Sequence, residues 1–320
     1  MFVTPKTLLL ALALDAALGD PAFVYARIPH PIAVIGRAIS WLERRWNRED
    51  QAHSARRRAG AIVCLVLILA SAGAGFVIER ILLGFRFGWI ADSVLVSLFL
   101  AQNSLYFHVA AVARALTNEG LARGRKAVAK IVGRDPESLD EAGVCRAALE
   151  SLAENFSDGV VAPAFWALVF GLPGILVYKT INTADSMIGH KTPRHLAFGW
   201  AAARLDDLLN LIPARLAGLL IVASSVAVPS ARSRDGFHAM MRDAAKHRSP
   251  NAGWQEAALA GALGVALAGP RRYAGRLVED YWMNLGGRSE ATVDDIRRGL
   301  NIYVAACLLQ AGSVAILALF

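Results

Sequence analysis

One stretch of the chain limits the possible folds more than any other. Residues 59–78 contain no charged residue and are almost entirely apolar. An α-helix rises about 1.5 Å per residue, so a run of this length crosses the roughly 30 Å of hydrocarbon in a bilayer. The run therefore predicts a transmembrane helix, which the charged pair Glu79 and Arg80 ends.

Further apolar runs predict a polytopic membrane protein. Hydrophobic residues make up 55% of the chain and charged residues only 19%, a composition that excludes intrinsic disorder. The runs predict about five spans, plus one or two helices that are short, broken or re-entrant. Besides 59–78, they cover residues 2–19, 88–116, 159–178, 208–228, 257–268 and 299–320. The predicted fold class is all-α, arranged as a single polytopic membrane domain over residues 1–320.

Two of these runs differ from ordinary spans. Residues 159–178 contain Pro163, Gly171 and Pro173. Backbone breaks at membrane depth persist only against protein or a cavity, so this run predicts a broken or re-entrant segment. Residues 257–268 are too few to span straight, and their small side chains suit close helix packing.

Two other segments need separate interpretations. Residues 117–158 are mixed and charged, and we expect them to form a cytoplasmic helical segment. The N-terminal run resembles a secretory signal peptide in having Lys6 before an apolar stretch and small residues at 17–19. Asp15 is unusual in the core of such a peptide, which favours a retained segment.

The charges indicate how the chain is oriented. Lys and Arg number 34 against 26 Asp and Glu, and the basic residues cluster between apolar runs. Residues 37–58 hold seven arginines and three acids, which predicts a cytoplasmic loop, and residues 79–92 are then outside. Later loops are all basic, so the rule cannot alternate through every run. The protein is expected in the cell inner membrane.

Cysteine usage and the pattern of basic residues exclude two other classes. The three cysteines show no C-x-x-C spacing, so they predict buried core residues rather than a disulfide framework or a zinc site. Basic residues do not interleave with aromatic ones, so a nucleic-acid partner is not expected.

The first polar cluster is the 154–159 segment, Glu-Asn-Phe-Ser-Asp-Gly. In a helix Glu154 and Asp158 are four residues apart and share a face. Two hard oxygen ligands at the head of an apolar run could hold Mg²⁺. The alternative is that Ser157 or Asp158 caps the helix that follows.

The second cluster is the 179–189 stripe, which continues directly from an apolar run. Its members recur at steps of three and four residues, which places them on one helical face: Lys179, Asn182, Asp185, Ser186 and Gly189. Polar groups in such a place are costly unless they pair or line a water-filled cavity. The alternative is a Lys179–Asp185 network that only holds helices together.

The third cluster is the 204–215 segment. It brings together two arginines, two acids and an amide: Arg204, Asp206, Asp207, Asn210 and Arg215. A pair of aspartates suits a metal ion, and an arginine suits phosphate or carboxylate. The alternative is a set of interfacial salt bridges before a span.

The fourth cluster is the 247–253 loop, His-Arg-Ser-Pro-Asn-Ala-Gly. Its Pro and Gly predict a loop, and Asn251 is predicted to open the next helix. Helix-start amides together with His247, Arg248 and Ser249 would suit a phosphate. A plain turn with a solvated histidine fits the same residues.

A fifth polar element lies near the N-terminus. It comprises Asp15, then Gly19-Asp20-Pro21, then Pro29-His30-Pro31. The flanking prolines hold His30 in an extended segment. A purely structural histidine is the alternative to a role in substrate binding.

Taken in order, these segments resemble the CobD/CbiB family, the adenosylcobinamide-phosphate synthases of cobalamin biosynthesis. The resemblance runs over nearly the whole chain. It rests on Leu14-Asp15 with Gly19-Asp20-Pro21, Pro29-His30-Pro31 with Ile35-Gly36-Arg37, 131–135, 151–162, 178–189, 203–215 and 249–253. Two small departures, at Ala184 and at His190-Lys191, remove no polar group.

The resemblance implies an amide ligase. The family joins the free propionate carboxyl of adenosylcobyric acid to the amine of 1-aminopropan-2-ol or its O-phosphate. The product is adenosylcobinamide or its phosphate, with ATP as co-substrate and Mg²⁺ as cofactor. Because phosphoryl transfer depends on metal and cationic clamps more than on covalent protein chemistry, the polar clusters suit it. The resemblance also favours retention of the N-terminal run.

Residue type suggests a division of roles within this reaction. The candidate Mg²⁺ ligands are the acids Glu154, Asp158, Asp206 and Asp207. The candidate clamps for phosphate or propionate are Lys179, Arg204 and Arg215. The candidate bases for the amine are Asp185 and His247. The remaining candidate substrate contacts are His30, Asn155, Asn182, Ser186, Ser249 and Asn251.

Two other classes of function stay open. A non-enzymatic membrane transporter or sensor of corrinoids or other small molecules would bind its ligand without consuming ATP. A Mg²⁺-dependent intramembrane transferase of the prenyl or CDP-alcohol type would use lipid phosphates, and its motifs do not match residue by residue. Composition alone supports only a polytopic membrane protein.

Overall fold

The structure is a computed structural model that describes residues 4–20, 25, 27–133, 136–273, 276–278 and 280–320. For 271–273 and 276–278 the description covers the backbone only. Pro21, Arg134 and Asp135, which belong to the resembling stretches, lie outside the described residues.

Helices make up most of the described chain. In chain order they are α1 (Pro5–Leu18), α2 (Pro31–Trp46), α3 (His53–Leu83), α4 (Gly88–Ser97), α5 (Gln102–Glu119), α6 (Leu121–Val128), α7 (Glu141–Phe156), α8 (Ala162–Ile188), α9 (Trp200–Leu209), α10 (Leu211–Ser224), α11 (Ser233–Asp243), α12 (Ala252–Leu263) and α13 (Val293–Leu317). A π-helical turn, Ser157–Val161, joins α7 to α8, and 3₁₀ turns follow at Ser225–Ala227 and Ala244–Lys246.

Short strands form two small antiparallel sheets. Strand β1 (Leu267–Ala268) pairs with β4 (Trp282–Met283), and β2 (Arg271–Tyr273) pairs with β3 (Arg276–Val278). The sequence showed no strand pattern here, because strands of two or three residues are too short to establish a period.

Membrane-spanning candidates confirm a polytopic all-α protein. Within the described residues, four helical stretches are long and apolar enough to cross a membrane: His53–Leu83, Gly88–Glu119, Glu141–Ile188 and Val293–Leu317. Two further helices, Trp200–Leu209 and Leu211–Ala227, meet at a 46° bend, and counted together as one broken span they make a fifth candidate.

The predicted spans and the observed helices differ in two places. Helix α1 has 14 residues, fewer than the roughly 20 that a straight span needs. The run at 159–178 is not a separate element, since α7, the π turn and α8 form one helical stretch. The predicted helical segment over 117–158 contains α6 and α7, and 12 of the 16 residues of α7 are buried by protein. Its predicted cytoplasmic position stays a prediction.

The chain divides into two compact units. The first contains residues 1–101, 162–210 and 314–320, and the second contains 102–161 and 211–313. A single polytopic membrane domain over 1–320 stays a prediction.

In the first unit, α3 and α8 pack in direct backbone contact. A Cβ atom on Gly75 would lie 2.6 Å from the Pro173 Cα atom, so only glycine allows this approach. Helix α8 bends at that level, because Gly171 has a φ of 69° and Pro173 cannot donate a backbone hydrogen bond. The predicted backbone break is confirmed. Cys64 is buried in this unit, as expected for a core cysteine.

In the second unit, α12 lies at the centre of the core. Eleven of its twelve residues are buried, with only Trp254 partly exposed. A Cβ on Gly261 would lie 2.4 Å from the Asp235 carbonyl oxygen, so the predicted close packing of small residues is confirmed. The predicted extent is wrong, because Gly264 adopts a left-handed conformation that ends the helix and Ala268 lies in β1.

A buried aspartate ties α11 to the turn before α13. Asp243 accepts hydrogen bonds from the Arg242 guanidinium, the Lys246 ammonium at 2.9 Å and the Asn284 backbone N–H at 2.9 Å. Burial by itself raises the pKa of this carboxyl, but the three donors outweigh it and lower the pKa to about 2.

We expect this cluster to stabilise the fold above about pH 4 and to lose its effect as the pH falls toward 2. The reason is that the pKa of Asp243 is lowered on folding from 3.8 to about 2, a difference worth about 2 kcal/mol. Asp243→Asn should therefore lower the thermal unfolding midpoint at pH 7. Thermal unfolding in detergent from pH 7 to 2.5 measures this, and a wild-type–variant difference that does not shrink with falling pH would contradict it.

Candidate functional site

The 154–159 segment lies on the π-helical turn. The Ser157 N–H bonds to the carbonyls of Ala153 and Glu154, so the backbone continues and no new helix begins at Asp158. The alternative of a helix cap is therefore wrong. Glu154 is exposed and Asp158 is half-buried, which leaves both carboxylates accessible. Single π turns inside helices occur frequently at functional sites, because the extra residue redirects side chains.

Neighbouring side chains fix this turn from within the second unit. Asn155 donates through Nδ2 to the Ser151 carbonyl at 2.9 Å and to the Ser151 hydroxyl at 3.1 Å. That hydroxyl donates in turn to the Ile131 carbonyl at 2.8 Å. Asn155 is thus held by α7 and by the residues after α6, with its side-chain oxygen left to accept another bond.

In the first unit, the 179–189 stripe meets α9 through one carboxylate. Asn182 donates to Asp206 Oδ1 at 3.1 Å, and Asn210 donates to Asp206 Oδ2 at 3.0 Å. The hydroxyl of the buried Tyr178 donates to Asn210 Oδ1 at 3.0 Å. The charge of Lys179 also acts on Asp206. We call this set the Asp206 network.

The Asp206 network orients a carboxylate without saturating it. A carboxylate has about four lone-pair positions, and two of those on Asp206 accept the amide donors. Asp206 thus links α8 to α9. The alternative of a Lys179–Asp185 network stays a prediction. The sequence singled out Tyr178 only through the resemblance, because a tyrosine in an apolar run has the pattern of a core residue.

Other members of the same stripe and segment point elsewhere. Asp185 Oδ1 lies 1.8 Å from where a Cβ on residue 189 would stand, so Gly189 gives this carboxylate its place at the helix end. Ser186 donates to the Asn182 carbonyl at 2.9 Å. Arg204 pairs with Asp207 at 3.4 Å, on an accessible face where such a pair contributes little stability.

No group of three or more His, Cys, Asp and Glu side chains within the described residues is arranged to hold a metal ion. Magnesium is commonly held by one or two carboxylates together with substrate phosphates, so either acid pair fits such a partial site. Glu154 and Asp158 lie in one unit, and Asp206 and Asp207 lie in the other. Their joint role as ligands stays a prediction.

In the second unit, Arg215 joins the 247–253 loop. Its Nη1 donates to Asn251 Oδ1 at 3.0 Å and to the Leu211 carbonyl at 2.8 Å, and its guanidinium lies 4.5 Å from the Trp254 ring centroid. Arg215 was grouped with Arg204 and Asp206 from sequence, but its side-chain partners are Asn251 and Trp254, almost forty positions later. Stacking and a fixed hydrogen bond leave a guanidinium preorganised to receive an oxyanion.

Ser249 caps α12. Its hydroxyl accepts from the N–H groups of Asn251 at 3.2 Å and Ala252 at 3.3 Å, so the prediction that Asn251 opens a helix is confirmed. These two amides are occupied by Ser249 in this structure. A phosphate here would therefore depend on Arg215 and the side chains more than on helix-start amides.

His247 is buried beside an acid that the sequence analysis missed. Its ring Nδ1 accepts from the Ser249 N–H at 3.0 Å, which places the proton of the neutral ring on Nε2. Nε2 lies 3.9 Å from Glu256 Oε1, and the two side chains are 5% and 2% exposed. The alternative of a solvated histidine is wrong. Glu256 gave no signal because it lies within the apolar pattern of α12.

His30 has a structural role in this fold. It caps α2 by accepting the Ile32 N–H on Nδ1 at 3.1 Å, and its Nε2 lies 3.3 Å from Asp20 Oδ1. The Tyr25 ring is tilted against it with centroids 4.6 Å apart. These contacts fit the structural alternative, and a contact with substrate stays a prediction.

Comparison with known proteins identifies the family. A family model described as CobD/Cbib protein matches residues 8–303. The chain belongs to the CobD/CbiB family. It is 52% identical over 315 residues to the cobalamin biosynthesis protein CobD of a Sinorhizobium species, covering 98% of this chain and 97% of that one. No solved structure matches the chain at a significant level.

Other CobD proteins of cobalamin biosynthesis match over the same length. The protein from Brucella anthropi is 50% identical, covering 95% of this chain and 94% of its own. The protein from Rhodobacter capsulatus is 48% identical, covering 97% of each. Membership of the CobD/CbiB family assigns the chain to cobalamin biosynthesis, supports an enzymatic role there and implies substrates of the corrinoid type.

Proposed function

We propose that the protein is an amide ligase that joins the propionate carboxyl of adenosylcobyric acid to 1-aminopropan-2-ol or its O-phosphate. The observation that carries the proposal is that the polar side chains of the family resemblance are held in hydrogen-bonded sets rather than scattered. The Asp206 network and the Arg215–Asn251 pair each present an oriented charged group. An ATP-driven ligation needs such groups for its phosphates and carboxylates.

The proposed ligation has two steps, activation of the carboxylate and attack by the amine. A carboxylate is a poor acyl donor, so its oxygen first attacks the γ-phosphorus of ATP. The bond from that phosphorus to the bridging oxygen breaks, which gives an acyl phosphate and ADP. The neutral amine then attacks the acyl carbon, and the C–O bond to phosphate breaks. The products are the amide, ADP and phosphate, and one proton leaves the amine.

Residues of this chain serve particular parts of these steps. Arg215 neutralises oxyanion charge, since it is fixed by Asn251 and Trp254. Lys179 acts beside the oriented Asp206 carboxylate. Asp185 is half-buried and accepts the amine proton, whereas His247 is buried with Glu256 and fixes the 247–253 loop.

Magnesium would be held by Glu154 with Asp158, or by Asp206, and would neutralise charge on the nucleotide phosphates. Glu154 and Asp158 suit it because both are accessible carboxylates on one helical face. We place the reaction on the cytoplasmic face of the inner membrane, where ATP is present.

The test is direct synthesis of the product. Protein purified in detergent is incubated with adenosylcobyric acid, ATP, Mg²⁺ and either amine, and mass spectrometry follows the amide. We expect one amine to give product with ADP released in equal amount. Tight corrinoid binding without product or ADP from either amine would favour a transporter or sensor and contradict the ligase.

A further inference from the structure

A cavity of about 540 Å³ opens where α2 ends and α3 begins, within the first unit. Its residues come from the two helices and the turn between them. Three arginines supply its charge, and Trp46 and Ile62 supply apolar surface: Arg45, Arg48 and Arg58. Gln51, Ala55 and Ala59 complete the lining.

In the described part of the chain, the three arginines of this cavity outnumber the acids near them that are not bound elsewhere. Of the three acids of the same segment, Glu43 and Glu49 both bind Arg194, at 2.9 Å and 2.8 Å, and Asp50 makes no ion pair with a described residue. Within the described residues, the side chains of Arg45, Arg48 and Arg58 make no ion pair. Arginine keeps its charge at every physiological pH, so the cavity carries a permanent positive field.

The start of α3 adds to that field. Gln51 and Ala55 lie on either side of the helix N-cap, Ala52, which provides no capping side chain. The N-terminus of a 31-residue helix, with its positive end of the helix dipole, therefore lies at the edge of the cavity. Arginines and helix amides together suit a phosphate group.

The apolar side of the cavity leads onto the surface of a membrane span. Ile62, which lines the cavity, is followed on the same face of α3 by Val66 and Leu69, and these are 46%, 46% and 63% exposed. Helix α3 is long and apolar enough to cross the bilayer, so this stripe faces hydrocarbon. Trp46 is 41% exposed beside the arginines, a usual place for an interfacial aromatic.

We propose that this cavity binds the headgroup of an anionic phospholipid. The lipid phosphate pairs with Arg45, Arg48 and Arg58, and an acyl chain lies along the stripe from Ile62 to Leu69. A free nucleotide would satisfy the arginines but would leave the stripe uncovered. Basic pockets at the ends of membrane helices bind anionic lipids in this way. The lipid site does not depend on the reaction proposed above.

The test titrates detergent-purified protein with dioleoyl phosphatidylglycerol and counts retained lipids by native mass spectrometry. We expect one tightly retained lipid per chain and weaker retention of dioleoyl phosphatidylcholine. The triple change Arg45→Gln, Arg48→Gln and Arg58→Gln should weaken the affinity roughly 100-fold, because each basic residue near a membrane surface contributes about a fivefold factor.

A matched variant distinguishes the effect of the cavity arginines on lipid binding from the effect of the overall positive charge. A second triple variant also loses three exposed arginines, through Arg114→Gln, Arg123→Gln and Arg234→Gln. None of these lines the cavity, so this variant should retain the lipid as the wild type does. Equal loss in both triple variants would overturn the proposal. Displacement of the lipid by millimolar ATP or inorganic phosphate, with the same dependence on Arg45, Arg48 and Arg58, would assign the cavity to a soluble phosphate instead.

Discussion

Asp158→Asn is expected to lower the rate of amide formation by about three orders of magnitude while the protein still inserts and folds. Asp158 lies half-buried on the π turn, on the same helical face as Glu154. The isosteric amide removes the negative charge that a metal ion requires. Loss of several kcal/mol of charge stabilisation corresponds to a factor of this size. The measurement is the steady-state rate of product formation at saturating ATP and at the Mg²⁺ concentration that just saturates the wild type.

Two comparisons make this result specific. Asp294→Asn removes a charge of the same kind from an exposed pair with Arg297 in the same unit, and should leave the rate unchanged. Elution volume and thermal midpoint in detergent report whether Asp158→Asn folds. Turnover near that of the wild type would remove Asp158 from the metal site, and raised Mg²⁺ should partly restore the rate if the prediction holds.

Arg215→Met should lower kcat/KM by about 10³-fold, the lower end of what arginine contributes to phosphoryl transfer. Methionine keeps an apolar chain against Trp254 but loses the guanidinium that bonds Asn251 at 3.0 Å. Arg215→Lys should recover only part of the loss, because an ammonium cannot reproduce a planar, bidentate donor. Initial rates measured against ATP and corrinoid separately show which substrate the arginine serves.

Arg234→Met is the matched control, since Arg234 is exposed on α11. It should retain wild-type kinetics. The activity that Arg215→Met loses at each temperature is compared with the fraction of the variant that is unfolded at that temperature. If the two are equal, Arg215 is a structural residue and its assignment to oxyanion binding is wrong. A folded variant with a raised KM for one substrate and unchanged KM for the other supports the assignment.

Features that depend on short stretches of sequence were predictable. The uncharged run at 59–78 required a span because a bilayer imposes the same length and polarity on every helix that crosses it. Gly171 and Pro173 required a break because their backbone restrictions are local. A structural role for His30 was among the alternatives because its flanking prolines restrict the backbone, but the cap that it forms on α2 is seen only in the structure.

Features that depend on distant contacts were not predictable in the same way. Arg215 was grouped with its neighbours in sequence, but its hydrogen bond is to Asn251, 36 residues away. Glu256 carried no signal in the sequence, and only the fold brings its Oε1 to 3.9 Å from His247 Nε2. The π turn at Ser157–Val161 was not predicted, because the sequence of these residues is compatible with a turn and with a continuing helix.

The sequence by itself determined that this chain is a helical membrane protein of the CobD/CbiB type, because hydropathy and ordered motifs are properties of the chain alone. Only the tertiary structure decided which polar side chains are partners. In the fold, Asp206 accepts hydrogen bonds from Asn182 and Asn210. Arg215 bonds to Asn251 of the 247–253 loop, and His247 is buried beside Glu256. The physical reason is that a hydrogen bond depends on where the helices bring two side chains, and helix packing is set by the whole chain.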